Sequence, residues 1–292
     1  MTTTHNRNAL MNGAFQLWDY ADSVDLAALP SVPYAATRWK IGGGTATGTV
    51  AKGTTPTGST TDKWVRGVTC MNVNVTAPGT MNVTQTVENG VRYARGLHML
   101  SVVAFGPAGG SFTVECAGVR GTLNTKGGVN PDVLHLEVYT GDITTTDMPV
   151  TVFKDPGAAG LYQIALVQLV MGLNAPERGP LVVPSVREER LRVSRYCYPI
   201  TSGELVHGGS TSGMMAPRFD MRVAPSFIQH VTTMDAIQIR SGAAGQITSA
   251  NASISNVSTT GARLAVQGTT TGFTATEMML TTPRLGVFHA DY

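Results

Sequence analysis

Charge is scarce in this sequence. Asp, Glu, Lys and Arg make up 14% of its 292 residues, against about a quarter in ordinary globular chains. Polarity comes instead from Thr, Ser, Asn and Gly, which suits strands and turns better than charge-laced helical surfaces. The charges also nearly cancel, 21 Lys and Arg against 19 Asp and Glu for a formal net charge of +2. So small and dispersed a balance cannot build the field that tracks a phosphate backbone, which excludes a nucleic-acid-binding protein. No apolar run approaches the roughly 18 residues that span a bilayer, and Met1 to Asn8 lacks the apolar region of a secretory signal. The expectation is a soluble chain that starts its life in a cytoplasm, with neither nucleic acid nor membrane as partner.

Catalytic and metal-binding signatures are missing too. The three cysteines, Cys70, Cys116 and Cys197, have no CxxC spacing, so neither a disulfide framework nor a zinc site is indicated. They read as buried thiols, with one disulfide between two of them left open. The six histidines, His5, His98, His135, His207, His230 and His289, are isolated from one another and from cysteine, without HxH or HExxH. No GxSxG, GxxxxGK[ST] or GxGxxG occurs, and Gly42 to Gly44 reads as a turn rather than a phosphate cradle. Asp19, Asp22 and Asp25 are the best carboxylate cluster. Solvated loop acids are the ordinary reading of them, calcium held by them a second, and the paired carboxylates of a glycosidase a distant third. The expectation is no enzyme, no cofactor and no assigned catalytic or metal residue.

Short runs rich in Val, Ile, Thr and aromatics recur between clusters of Gly, Pro, Asn and Asp, while apolar periodicity of 3.6 is nearly absent. These runs predict strands at 45–50, 63–71, 81–87, 98–105, 111–119, 134–139 and 161–170. Further strands are predicted at 221–222, 228–233, 237–240, 253–257, 262–267 and 276–281. Separators are expected at 106–110, 121–132 and 155–157. One helix is expected, near 185–195, because Ser185 and Glu188 form a capping box after Pro184. Its arginines, 187, 190, 192 and 195, are read as a solvated or inter-subunit face offset by Glu188 and Glu189. The resulting fold class is all-β: a jelly-roll-like antiparallel sandwich over 10–184, then the short helix and a smaller β domain over 185–292, with 1–9 as an N-terminal arm.

Several segments resemble a family of phage virion proteins, the components of tail fibres, head fibres and collars, often with a carbohydrate-binding-like sandwich. Asn8 to Trp18, with Asn12-Gly13, Phe15 and Trp18, is similar to that family's opening N-L-x-x-N-G-x-F-x-x-W. Ala36-Thr37-Arg38-Trp39 resembles A-D-R-W, with Thr37 where Asp is usual. Thr84 to Glu88 is close to Q-x-I-E. The segment Gly160 to Leu169 resembles the closing strand I-A-x-V-Q-L-E-x-G, with Val170 at the acidic position. Arg195 to Tyr198 resembles C-Q-R-Y-Y, with Cys197 between the tyrosines, and His289 to Tyr292 resembles the terminal A-D-A-E-L.

The resemblance implies a structural subunit of a phage-like fibre or spike, made in the bacterial host cytoplasm and carried on the virion surface. It implies a homotrimer, attachment to other virion proteins through the N-terminal arm, and contact with host-surface polysaccharide. The C-terminal loops 208–215 and 268–272 would then point outward. A connector or decoration protein that binds no glycan is the alternative. Stacking aromatics such as Trp64 and Tyr139 cannot be told from core residues in sequence, so the glycan-binding residues are unassigned. Phe15, Trp18 and Trp39 read as core aromatics, and Gln85 and Gln168 as amides that bond neighbouring backbone.

Overall fold

The computed structural model describes residues 8–28, 34, 36–58, 65–88, 96–140, 147–171 and 185–194, and the backbone of the strands lying between Cys197 and His289. The chain divides into two compact units, Met1–Glu189 and Arg190–Tyr292. The fold is all-β with one short helix among the described residues, as the periodicity predicts.

In the first unit the strands are β1 (Ser23–Asp25), β2 (Lys40–Gly42), β3 (Thr47–Thr54), β4 (Thr69–Ala77), β5 (Asn82–Glu88) and β6 (Leu97–Phe105). They continue with β7 (Gly110–Cys116), β8 (Val119–Thr125), β9 (Asp132–Tyr139), β10 (Asp147–Lys154) and β11 (Gly160–Met171). One sheet runs β1-β3-β4-β11-β6-β9 and the other β2-β5-β10-β7-β8. The stretch β4 to β11 pairs from the outside in: β4 with β11, β5 with β10, β6 with β9 and β7 with β8, all antiparallel. It is one long hairpin rolled across two sheets, which is jelly-roll topology. Strands β1, β2 and β3 widen it at the edges.

Alternation sets which face each residue takes. In β7, Phe112, Val114 and Cys116 turn inward and are buried, while Ser111, Thr113 and Glu115 between them are half exposed, the period-2 pattern of a sheet with one solvated face. The inner faces meet in a core that runs from Leu10 and Trp39 to Phe112, Phe153 and Tyr162. The last three rings tie the sheets together, with centroids 4.6, 5.2 and 5.9 Å apart. Burying each contributes about 2–3 kcal/mol.

Strand β11 carries a bulge at Ala165, where its register against β6 shifts between Ile164 and Leu166. Before the bulge it pairs with β4 on its other side. Beyond it the N-terminal segment takes over: Val167 N donates to Gly13 O at 2.8 Å and Ala9 N to Leu169 O at 2.9 Å. Asn8 grips the same stretch, its Nδ2 donating to Val167 O and its Oδ1 accepting from Leu169 N, both at 2.9 Å. Gly13 is required here, because a Cβ at this position would stand 2.2 Å from Val167 O. Asn8 and Ala9, assigned to the arm by sequence, therefore belong to the sandwich; residues 1–7 lie outside the described residues.

In the first unit the short strands β1 and β2 and two longer ones, β8 and β10, escape the sequence reading. Strand β8 occupies 119–125, most of which the composition assigns to a separator, and β10 occupies 147–154, where Pro149 interrupts the pattern. The strand expected at 63–71 sits later, at 69–77. Cys116 pairs with Val119 across a two-residue turn in which Ala117 (φ 48°) and Gly118 (φ 81°) both have positive φ. Such type I′ turns favour Asn-Gly, since alanine is disfavoured in the left-handed region. Ala117→Asn is thus expected to stabilise the unit by about 1 kcal/mol, read as a higher urea midpoint at unchanged m-value.

The helix α1 (Val186–Val193) begins as the capping box requires. Ser185 N and Oγ both donate to Glu188 Oε2 at 2.9 Å, and Glu188 N donates back to Ser185 Oγ at 3.3 Å. Glu189 is buried rather than solvated, which corrects the reading of both glutamates as surface charge.

The second unit contains three small antiparallel sheets among the described residues. Cys197–Ile200, Gly286–His289 and Ser226–Gln229 form one; Gly203–Glu204, Ala275–Leu280, Ile237–Ser241 and Gly245–Thr248 the second; Val206–His207, Ser212–Met215, Arg263–Gly268 and Ala250–Ser255 the third. Ser212–Met215, read as part of an outward loop, is a strand paired with Arg263–Gly268. The strand expected at 221–222 and the loop 269–272 lie outside the described residues.

Candidate functional site

Four of the six segments that carry the resemblance to virion proteins, 8–18, 36–39, 84–88 and 160–169, meet around one buried knot, while 195–198 and 289–292 belong to the second unit. Its centre is Asn12, whose φ of 51° is one that Asn tolerates. Its side-chain Nδ2 donates to Leu17 O at 2.8 Å and Thr37 O at 3.0 Å, and its Oδ1 accepts from Leu17 N at 3.0 Å. Its carbonyl accepts Trp39 Nε1 at 3.0 Å, and its amide donates to the Glu189 carboxylate. Gln85 holds the next residue as a strand would, Oε1 accepting from Met11 N at 2.7 Å and Nε2 donating to Met11 O at 2.8 Å. Trp18 Nε1 donates to Phe15 O at 2.6 Å, and the Phe15 and Trp39 rings lie 5.3 Å apart.

Positive φ angles at Phe15 (51°) and Arg38 (73°) sit in the same knot. Backbone strain of this kind persists only where surrounding contacts over-determine it. Thr37, which stands where the family usually has Asp, accepts from Asp19 N at 3.0 Å and donates from Oγ1 to Asp19 Oδ2 at 2.9 Å. The acid and hydroxyl are satisfied as a pair in the interior.

That pairing separates the acids proposed for calcium. Asp19 is buried on Thr37, whereas Asp22 and Asp25 are exposed, and Asp25 Oδ1 accepts from Ala27 N at 2.9 Å. Among the described residues no group of three or more His, Cys, Asp or Glu could hold a metal ion. Cys70, Cys116 and Cys197 are buried and none forms a disulfide. Burial pushes the thiols of Cys70 and Cys116 up to about 12, so both are inert at neutral pH. His98 is buried, which holds its imidazole below its ordinary value against a hydrogen bond with Gly96 O at 3.2 Å. His5, His230 and Trp64 lie outside the described residues.

The two outer faces of the sandwich differ in chemistry. The face of the five-stranded sheet is a threonine field: Thr84 and Thr151 touch through their hydroxyls at 3.2 Å, with Thr113 and Thr122 paired alongside. Glu115 lies across it, bonded by Arg120 Nε at 3.1 Å and Lys154 Nζ at 3.2 Å. Burial pushes that carboxyl up, but the two cations more than offset it and leave it below the usual carboxylate range.

The six-stranded sheet has a divided outer face. One end is roofed, where Ala14 and Val65 pack over Val103, Phe105, Ala165 and Leu166. The other end is open along β9, whose outward residues Val133, His135, Glu137 and Tyr139 are all exposed. Tyr139, at 58% of its full area, is the one aromatic among the exposed large hydrophobic side chains of the described residues. A polar row crosses the strands behind it. Gln168 of β11 lies opposite Ser101 of β6, and Ser101 Oγ meets His135 Nδ1 at 3.0 Å. Gln168 Oε1 is buried with no hydrogen-bond partner among the described residues.

No family model matches the chain, and no curated protein does. Among solved structures it is similar to the enzymatically active domain of tailspike protein 4 of bacteriophage CBA120, at 14% identity and a TM-score of 0.38 over 56% of this chain. The match covers 21% of that tailspike chain. A sugar-binding protein from Bacteroides thetaiotaomicron is similar at 12% identity and a TM-score of 0.39, over 56% of this chain and 100% of its own. The tandem CBM22-1–CBM22-2 domain of Paenibacillus barcinonensis Xyn10C is similar at 8% identity and a TM-score of 0.35, over 100% of both chains.

Proposed function

We propose that the chain is a non-enzymatic structural subunit of a phage-like virion appendage, a fibre or spike, that meets host-surface polysaccharide. One observation carries this reading. The segments resembling virion appendage proteins are short and scattered along the sequence, yet four of the six meet in the first unit. Here Asn8, Asn12, Phe15, Trp18, Trp39 and Gln85 gather with Glu189 in a single hydrogen-bonded knot. That convergence supports reading the four segments as one structural device.

In this reading residues 1–7 attach the subunit to another virion protein, and three copies associate. Deleting residues 2–7 spares Asn8 and its bonds to β11, so the sandwich should still fold. The test is quantitative mass spectrometry of purified particles complemented with either form. The full chain should be present at fixed stoichiometry and the truncated chain absent. A full chain missing from particles sinks the virion reading; a truncated chain at normal occupancy sinks only the assignment of the attachment end. The alternative, a connector that binds no glycan, draws support from the threonine-rich face, which presents no exposed aromatic among the described residues.

A further inference from the structure

We propose that the open outer row of β9, with Tyr139, Glu137 and His135, is a binding surface for a neutral or N-acetylated hexose polysaccharide. This rests on the glycan-contacting reading above and gives that contact a location and a ligand class. It places the contact on a sheet face of the first unit instead of the C-terminal loops.

The geometry supplies what a sugar chain needs. A pyranose presents an apolar C–H face and a rim of hydroxyls, so its recognition combines one aromatic plate with a few fixed polar groups. Tyr139 is such a plate. Its backbone is held by β6, through the register pair Leu97–Tyr139 and the hydrogen bond of the Thr140 amide to Gly96 O at 3.1 Å. Two residues on, Glu137 offers two carboxylate acceptors for hydroxyl or amide hydrogens. Two further on, the exposed imidazole of His135 is held by Ser101 at 3.0 Å.

Alternation puts these groups on one face at about 7 Å intervals, so the row from Val133 to Tyr139 runs about 20 Å. That length suits an oligosaccharide better than a single sugar. Strand β9 is paired with β6 from Asp132 to Tyr139, so the groups are pre-positioned and little ordering entropy is lost on binding. The face beside the row is closed, since Met99 and Ser101, the β6 register partners of Glu137 and His135, are 5% and 2% exposed. The ligand therefore lies across the surface without entering a pocket.

Charge decides the class of ligand. Glu137 is the sole charged group of the outward row, and its β6 neighbours Leu97, Met99, Ser101 and Val103 carry no charge. A uronic-acid or sialic-acid polymer would meet a carboxylate with no cation beside it among the described residues of the row and of β6, with like charges costing affinity. Neutral and N-acetylated hexoses meet no such penalty.

The experiment is binding of the full chain to an array of neutral, N-acetylated and uronic-acid oligosaccharides, followed by titration of the best spots. Wild-type protein should bind in the first two classes. Tyr139→Ala should weaken that binding about tenfold, the effect of losing one stacked ring. Tyr139→Phe should stay within about threefold, because the ring is kept. Glu137→Gln should weaken neutral binding but admit uronic-acid ligands. Thr86→Ala, on the outer face of the other sheet, is the control and should change nothing. Equal binding by wild type and Tyr139→Ala overturns the site and leaves the glycan reading standing. Wild-type binding to no saccharide overturns both. Loss of oligomerisation by Tyr139→Ala in light scattering would make the row a contact between copies and overturn the proposal.

Discussion

Asn12→Ala is expected to lower the stability of the sandwich by about 4 kcal/mol, among the largest losses available from a single side chain. The amide satisfies Leu17 N, Leu17 O and Thr37 O at once, all in the interior. Each buried group deprived of its partner costs roughly 1–3 kcal/mol, less where a second partner remains, and Leu17 O keeps a bond from Thr37 N at 2.9 Å. Alanine also tolerates the φ of 51° less well than asparagine. Asn12→Asp keeps the acceptor but turns a carboxylate oxygen onto Leu17 O and Thr37 O beside the buried Glu189, so it should cost at least as much as alanine. Urea unfolding provides the measurement, and a loss below about 1 kcal/mol for Asn12→Ala would remove the knot from the account of stability.

Gly48→Ala should cost about 3 kcal/mol, for two separable reasons. Its φ is +140°, and an added Cβ would stand 1.9 Å from the carbonyl oxygen of Asn74 on the paired strand. Backbone cannot step aside as a side-chain end can, and Gly48 already lies where the β3–β4 register shifts. Gly118→Ala isolates the conformational part. Its φ is +81° with nothing within 4 Å of the added carbon, so it should cost only about 1 kcal/mol. Equal losses at the two positions would mean that the close approach to Asn74 carries no weight.

Much of the sandwich was legible because its inward residues alternate. Strands β5, β6 and β11 sit within a residue or two of the predicted ranges. The reading failed where a strand is built from residues that usually make turns. Gly121 and Asn124 disguise β8, although a glycine suits position 121: a Cβ would come 3.1 Å from Leu136 Cδ1 of β9 and press on it. Asn72 and Asn74 disguise β4, although they simply face outward, where Asn72 Oδ1 accepts from Gln163 Nε2 at 3.1 Å.

The site was less legible, for a physical reason. Glu189 looks like any acid in a charged helix, and the group that needs it, the amide of Asn12, lies 177 residues away. Asp19 likewise finds Thr37 only after the chain has turned back. Tyr139 posed the opposite difficulty: alternation identifies a face, but only the assembled sheet shows which face water reaches.

The partnership of the N-terminal segment with β11 and α1 also sets a timetable for synthesis. Asn8 and Gly13 leave the ribosome long before Leu169 and Val167, their hydrogen-bond partners, and before Glu189. At about 5–20 residues per second, the segment waits roughly 10–35 s for the last of these to be made. Meanwhile the β7–β8 hairpin, closed by a two-residue turn, has only local contacts to find and can form within microseconds of emerging. The hairpin can then zip outward pair by pair, with β4 joining β11 after the inner pairs. The bond from Asn12 to Glu189 closes last, and a nascent chain stalled before residue 167 would hold the inner strands of the hairpin with its N-terminal segment not yet paired to β11 and open to a holding chaperone.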